Sequence, residues 1–145
     1  MNTTCPAPIA ANDDTNPKDL VGDFKVDMSL LPPAASIHAA HAFMDGARKY
    51  GPYNWRTKKV RARVYLSAAK RHLDAYLDGE ECAADSGVHH LGHAMACCAI
   101  LLDAAETGSL VDDRPAPGAA SAILRRLEAT IRARRLAAEA AESAA

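Results

Sequence analysis

Apolar residues recur at helical spacing through most of the chain and predict four helices joined by short polar connections. In the first helix, over residues 34–50, the apolar stripe consists of Ile37, Ala40, Met44 and Ala47. In the second, over residues 58–78, it consists of Leu66, Ala69, Leu73, Tyr76 and Leu77. Pro32-Pro33 opens the first helix, and glycines at 51 and 79 follow the two helices as stop signals.

The third predicted helix, over residues 89–107, is apolar almost all round, and Gly108 ends it. A helix without a polar face is buried on all sides, so we expect this one at the centre of a bundle or at a subunit interface. A last helix, over residues 119–141, has few large apolar positions on one face (Leu124, Leu127 and Ile131), so its end is expected to fray. The pattern predicts an all-α fold with a four-helix arrangement.

Composition agrees with this fold and limits the partners. The 145 residues include 32 alanines and only 7 aromatic residues, which favours helices over a sandwich or barrel. We divide the chain into a flexible arm (1–16), an all-α domain that carries the candidate catalytic residues (17–118) and an Ala/Arg-rich C-terminal helix (119–145). With 17 basic and 18 acidic residues, no excess of positive charge favours binding to nucleic acid or a membrane.

The compartment follows from the cysteines and the N-terminus. Cys97 and Cys98 are neighbours in an apolar helix, a poor arrangement for a disulfide framework, so all four cysteines are expected to be reduced. Residues 1–17 lack the basic and apolar regions of a secretory signal, and the longest apolar run, 94–102, is about half of a membrane span. We therefore expect a cytoplasmic protein.

Acids and histidines concentrate where the second and third helices join. The acids are Asp74, Asp78, Glu80, Glu81 and Asp85, and the histidines are His72, His89, His90 and His93. Carboxylates backed by imidazoles at a helix junction are typical of a divalent-metal site. Taken singly, each of these residues also fits a surface ion pair, a helix cap or a hydrogen-bonded core histidine.

A zinc site is the alternative for this cluster. His89 and His93 have the spacing of a zinc-protease helix, but His90 stands where that motif has its catalytic glutamate, so that interpretation fails. A structural zinc on His89, His93 and Cys97 is geometrically conceivable, although the sequence offers no second ligand arm.

The second candidate site is the stretch 48–56, which combines basic, aromatic and amide side chains after a helix. Trp55 and Tyr50 can stack on a nucleobase, Asn54 can bond its edge, and Lys49 can neutralise phosphates. The same residues also fit a helix C-terminus whose basic side chains complement the dipole, with aromatic residues docking the loop.

Motifs spread over residues 16–115 resemble a known family. They are Pro17-Lys18-Asp19, Lys25, Pro32-Pro33, Lys49-Tyr50-Gly51-Pro52-Tyr53-Asn54-Trp55-Arg56, Arg71-His72-Leu73, Gly79-Glu80, Asp85-Ser86-Gly87 and His90-Leu91-Gly92-His93-Ala94. In this order they resemble the phage-borne, MazZ-like dATP/dGTP diphosphohydrolases, which belong to the all-α NTP pyrophosphatases of the MazG and HisE type.

The resemblance implies hydrolysis of a purine (deoxy)nucleoside triphosphate to the monophosphate and pyrophosphate with Mg²⁺ or Mn²⁺. Among substrates, dGTP or GTP is favoured and dATP is possible. It also implies that the enzyme reshapes the nucleotide pool during phage infection, in the host cytoplasm, and that it is a homo-oligomer, either a dimer or a tetramer. The wider superfamily carries E-E-x-x-E and E-x-x-D motifs, but this chain has histidines where the second motif has acids.

The sequence therefore suggests its own set of site residues. We expect catalysis by Glu80, Glu81, Asp85 and His90, and metal binding by Glu80, Glu81, Asp85 and His93. We expect substrate binding by Lys18, Lys25, Lys49, Tyr50, Asn54, Trp55, Arg71 and His72. The alternative function is a non-catalytic module that binds a nucleotide or is stabilised by zinc.

Overall fold

The computed structural model describes residues 16–22 and 24–143. Its elements, in chain order, are α1 (Pro17–Gly22), a 3₁₀ turn (Met28–Leu30), α2 (Pro33–Tyr50), α3 (Asn54–Thr57), β1 (Val60–Arg61), α4 (Ala62–Leu77), α5 (His90–Glu106), β2 (Leu110–Val111) and α6 (Ala120–Ser143). Helices dominate, which confirms the all-α prediction. Of the arm predicted over residues 1–16, all but Asn16 lies outside the described residues.

The four predicted helices correspond to α2, α4, α5 and α6. Proline at the first position of α2 lacks an amide hydrogen that a helix start leaves unpaired anyway. Gly51, at a φ of 89°, ends α2, and Gly108, at 69°, follows α5. The predicted start of the second helix at residue 58 is wrong, because Val60 and Arg61 instead pair in parallel with Leu110 and Val111.

The central helix is α5, which packs against α2 on one side and α4 on the other. Small residues make this close packing possible: Gly92, Ala94, Ala96 and Ala104 are all buried. At Gly92 an added Cβ would lie 2.5 Å from the carbonyl oxygen of His38, so only glycine fits there without displacement of α2. This confirms the first of the two expected positions, the centre of the bundle, but burial on all sides is not observed, because Leu102 is 71% exposed.

The inward faces of α2 and α4 differ from those predicted. In α2 the buried residues are Ala42 and Asp45, whereas Ile37 and Met44 are exposed. In α4 the buried residues are Ala62 and Ala69, and the larger members of the predicted stripe are exposed: Leu66, Leu73, Tyr76 and Leu77. The close helix contacts select small side chains, which leaves large apolar ones on the outer surface.

The C-terminal helix α6 differs from α2, α4 and α5 because every residue in it is exposed. In the part of the chain that the structure describes, no helix is long and apolar enough to cross a membrane. Cys82, Cys97 and Cys98 are free, as expected, whereas Cys5 lies outside the described residues. The division of the chain at residue 118 stays a prediction.

Candidate functional site

A cavity of about 460 Å³ opens between α2, α4 and α5, beside α3 and the connection between α4 and α5. Five of the eight predicted substrate-binding residues line it: Lys49, Tyr50, Asn54, Trp55 and His72. Asp85 and His93, two of the predicted catalytic and metal-binding residues, line it as well. Some residues of both candidate regions thus line one cavity.

Lys49 lies between two carboxylates of this cavity. Its Nζ is 2.7 Å from Oδ2 of Asp45 and 3.7 Å from Oδ2 of Asp85. Asp45 also accepts a hydrogen bond of 2.7 Å from Nη2 of Arg48, and its side chain is only 7% exposed. The hydrogen bond from Lys49 lowers the pKa of Asp45 and raises that of Lys49, so both groups are charged at neutral pH.

Sequence reasoning missed Asp45. It is the only acid in α2, and Arg48 and Lys49 follow it at i+3 and i+4, a spacing that predicts ion pairs on one helical turn. That spacing alone does not distinguish a buried acid from an exposed one. The burial of Asp45 results from the packing of α2 against α5.

Aromatic rings form the wall of the cavity next to Lys49. The ring of Trp55 lies 5.4 Å from that of Phe43 and 5.3 Å from that of Tyr53. The indole Nε1 of Trp55 donates a hydrogen bond of 2.6 Å to Oδ2 of Asp103. Arg56 donates two more bonds to the same carboxylate, which together with Trp55 lower the pKa of Asp103 to about 2. Trp55 is therefore held in place by an ionised partner on α5.

Imidazoles form a second wall of the cavity. His72, from α4, stacks on His93, from α5, with ring centres 4.5 Å apart. His72 and His90 share a hydrogen bond of 2.9 Å between their Nδ1 atoms, and Nε2 of His93 lies 3.1 Å from Oγ of Ser86. Burial lowers the pKa of both His72 and His93, so both rings are neutral at physiological pH.

Glu80 and Glu81 do not line the cavity. The side chain of Glu80 is 66% exposed, and its Oε2 lies 3.5 Å from Nε2 of His90, which is buried beneath the cavity wall. Within the residues described, no group of three or more His, Cys, Asp or Glu side chains is arranged to hold a metal ion. Neither the predicted set of Glu80, Glu81, Asp85 and His93 nor the zinc set of His89, His93 and Cys97 forms a ready-made metal site.

Three predicted phosphate-binding residues also lie away from the cavity lining. Lys18 in α1 and Lys25 in the following turn are exposed. Arg71 donates a hydrogen bond of 2.9 Å to Oγ of Ser67 and lines a separate depression on α4 together with Arg63. The cation of the cavity is therefore Lys49, among the described residues that line it.

The site combines an ammonium group, flat aromatic rings, an amide and neutral imidazoles around one cavity. The ammonium group can neutralise a polyphosphate, and the aromatic rings can stack on a base. The amide can form hydrogen bonds with the edge of that base, and a neutral imidazole can accept a proton. The arrangement suits a ligand that has both an anionic and an aromatic part.

Comparison with known proteins supports a nucleotide as that ligand. No curated protein and no solved structure matches the chain. Residues 15–114 match the family model described as dATP/dGTP diphosphohydrolase, N-terminal. The match covers more than half of the chain and every residue that lines the cavity. The chain therefore belongs to the family of dATP/dGTP diphosphohydrolase N-terminal domains.

Proposed function

We propose that the protein hydrolyses a purine deoxynucleoside triphosphate to the monophosphate and pyrophosphate, with the reaction in the cavity between α2, α4 and α5. The observation that carries the proposal is the pairing, across one cavity, of Lys49 and the Trp55 wall with the neutral imidazoles of His72 and His93. The family match adds the class of substrate, since the family description names dATP and dGTP.

The base occupies the aromatic wall. Trp55 offers an indole face whose Nε1 is already bonded to Asp103, so this ring acts by stacking rather than by donating a hydrogen bond to the base. Asn54 and Tyr50 line the same end of the cavity and supply polar groups for the base edge. Of the two purines, we propose dGTP as the better substrate.

The phosphates occupy the region around Lys49. Its ammonium group is the cation of the cavity lining, and a triphosphate can draw it away from Asp85, at 3.7 Å, more easily than from Asp45, at 2.7 Å. Lys49 can thus bridge Asp45 and a phosphate oxygen. The remaining wall, with His72 and His93, then faces the phosphate chain.

Hydrolysis needs a water molecule that attacks the α-phosphorus. The new bond joins the water oxygen to this phosphorus, the bond from the phosphorus to the α,β-bridging oxygen breaks, and pyrophosphate leaves. The water proton requires an acceptor, and a neutral imidazole in the cavity is the suitable group. We propose His72 for this role, because Nε2 of His93 is already bonded to Ser86.

The requirement for Mg²⁺ or Mn²⁺ stays a prediction. The described residues form no three-ligand cluster, so we assign no ligand to the ion. Nucleoside triphosphates bind divalent cations through their own phosphate oxygens, and such a cation lowers the negative charge that the cavity must accommodate. The role in phage infection likewise stays a prediction.

We also propose a homo-oligomer. Large apolar side chains are exposed on the outer faces of the three packed helices: Ile37, Met44, Leu66, Leu73, Tyr76, Leu77 and Leu102. On α4, Leu66, Leu73 and Leu77 recur at spacings of seven and four and so share one face of the helix, and a contiguous exposed apolar face is typical of an interface. Light scattering at micromolar concentration measures the mass, and a monomer contradicts this part of the proposal.

Product analysis tests the function. Wild-type protein incubated with dGTP or dATP and Mg²⁺ or Mn²⁺ is expected to release pyrophosphate and the monophosphate in equal amounts.

Lys49→Ala should lower kcat/KM by about 100-fold, as does the loss of a group that stabilises developing charge. Lys70→Ala is the matched control, because Lys70 pairs with Asp74 on the exposed surface of α4. Release of orthophosphate alone, or no turnover together with tight nucleotide or zinc binding, contradicts the proposal and favours the non-catalytic module.

A further inference from the structure

A buried histidine without a complete set of hydrogen bonds lies directly behind the imidazole wall. His90, the first residue of α5, is 5% exposed. Its Nδ1 is bonded to His72, but its Nε2 is the buried side-chain nitrogen for which the described residues offer no hydrogen-bond partner. An unpaired buried polar atom costs free energy, so a partner for this nitrogen is expected close by.

The closest charged group to that nitrogen is the carboxylate of Glu80, at 3.5 Å. The backbone on either side of this residue is fixed: the amide of Glu80 donates to the carbonyl of Ala75, and the carbonyl of Glu81 accepts from the amide of His90. The side chain itself is largely exposed and free to rotate. A shift of a few tenths of an ångström brings Oε2 into hydrogen-bond distance of His90.

The contact decides which nitrogens of the two imidazoles carry protons. In a neutral pair bonded through Nδ1, one ring donates and the other accepts. If His90 donated, its Nε2 would hold a lone pair that faces a carboxylate, which is unfavourable. If His72 donates, His90 carries its proton on Nε2 and donates it to Glu80.

We infer that Glu80 and His90 are positioning residues that hold His72 as its Nδ1–H tautomer and so leave the Nε2 lone pair of His72 available to the cavity. The use of that lone pair as the acceptor of the water proton rests on the proposed function. His72 lines the cavity, and its Nε2 has no hydrogen-bond partner among the described residues.

The proton balance of this arrangement is simple. When water attacks the α-phosphorus, its proton moves to Nε2 of His72, which becomes an imidazolium. The Nδ1–H bond to His90 stays in place, and so does the bond from His90 to Glu80. The negative charge of Glu80 then faces the imidazolium through one intervening ring and stabilises it.

Long-range ¹H–¹⁵N correlation spectra of the histidine-labelled protein, recorded without nucleotide, test the inference directly. The spectra distinguish protonated from unprotonated ring nitrogens, and loss of a signal set in His72→Gln assigns His72. In the wild type we expect a protonated Nδ1 and an unprotonated Nε2 on His72. The reverse tautomer overturns the inference, whether or not the protein has activity.

Two substitutions at Glu80 sharpen the test, since its exposure makes both compatible with folding. Glu80→Lys places an ammonium donor at Nε2 of His90, which should invert both tautomers and lower kcat by about 100-fold with KM little changed. Glu80→Ala removes the bias, so both tautomers should appear. The kcat should fall by about tenfold, because the charge that stabilises the His72 imidazolium is lost as well. Glu106→Ala, which removes the same charge from the exposed end of α5, should change neither spectrum nor kcat.

The outcomes separate this inference from the proposed function. Wild-type tautomers that persist unchanged in Glu80→Lys overturn the inference even if the protein releases pyrophosphate. A protein that shows the expected tautomers and their inversion but releases no pyrophosphate retains the positioning role and loses the proposed function.

Discussion

The two walls of the cavity come from the sequence in different ways. The aromatic and phosphate-binding wall comes from one continuous stretch, residues 43–55, in which the end of α2 leads directly into α3. The imidazole wall is assembled from α4, the following connection and α5, with His72 and His93 separated by 21 positions and stacked at 4.5 Å. A local wall can be recognised from sequence, whereas an assembled wall depends on how two helices pack.

The largest effect is expected from a substitution that changes only the imidazole wall. His72→Asn removes the proposed proton acceptor and should lower kcat by at least about 100-fold, because general-base catalysis contributes that much or more. KM should change little, since the aromatic wall and Lys49 still bind the nucleotide. Steady-state kinetics with dGTP measure both parameters.

His41→Asn provides the control for this experiment, because His41 is an exposed histidine of α2 that does not line the cavity. A His72→Asn enzyme with normal kcat and a raised KM would assign His72 to substrate binding, as its sequence position first suggested.

A smaller effect is expected from a substitution that keeps every residue of the aromatic wall but weakens the hydrogen bonds that hold Trp55. Asp103→Asn weakens the three hydrogen bonds that fix Trp55 and Arg56, because a neutral amide accepts less strongly than a carboxylate with a pKa of about 2. We expect KM for dGTP to rise by roughly three- to tenfold with kcat nearly unchanged, since losing such an interaction costs about 1 kcal/mol.

Intrinsic fluorescence shows whether the surroundings of Trp55 have changed in Asp103→Asn, because Trp55 is the only tryptophan of the chain. Asp112→Asn is the matched control: Asp112 is another carboxylate with a pKa of about 2, and its partner Arg114 lies on the surface. A fall in kcat for Asp103→Asn would place the effect on the imidazole wall and contradict the separation of the two walls.

The smallest effect is a pH dependence that belongs to the imidazole wall. Burial holds the pKa of His72 and His93 below the ordinary 6.5 in the folded protein. As the pH falls, the unfolded chain therefore takes up protons at these positions before the folded protein does. The free energy of unfolding is highest above a pH of about 6.5 and decreases below it. Arg71 and Lys49 add positive charge nearby, and Asp45 and Asp85 oppose it.

Thermal melts between pH 8 and 5 measure this dependence. In His72→Gln the decrease below pH 6.5 should be smaller, while the aromatic-wall variant Asp103→Asn should keep the full decrease, because Asp103 titrates far lower, at about 2. A melting temperature that rises on acidification would contradict the neutral state of the two imidazoles.

Much of the fold followed from local pattern, and the failures have a common cause. Pro33, Gly51 and Gly108 fixed helix ends by backbone chemistry that is readable from sequence. The inward faces of α2 and α4 were predicted wrongly except at Ala69, because large apolar residues such as Ile37 and Leu73 were taken as core. The close packing around α5 instead buries alanines and glycine.

The candidate site shows the same difference between what local sequence indicates and what helix packing decides. Lys49, Asn54 and Trp55 were identified because they stand together in the chain, and the structure places them together. Asp45 was missed because its spacing from Lys49 also fits a surface ion pair. Asp103 was missed because its partner Trp55 comes from another helix. Lys18, Lys25 and Arg71 were predicted to bind phosphate because they are cationic and stand in the motifs of the resemblance, but neither property shows whether a side chain reaches the cavity.

The contact between Gly92 and the carbonyl of His38 acts as a mechanical stop between α2 and α5. A side chain at position 92 would meet that carbonyl, because even a methyl carbon there would lie 2.5 Å from the oxygen. With no side chain between them, the two helix backbones are already in close contact, so α2 and α5 cannot move closer together at this point. A narrowing of the cavity during a reaction cycle must therefore come from α3, from α4 or from side-chain rotation, and not from a closer approach of α2 and α5 at Gly92.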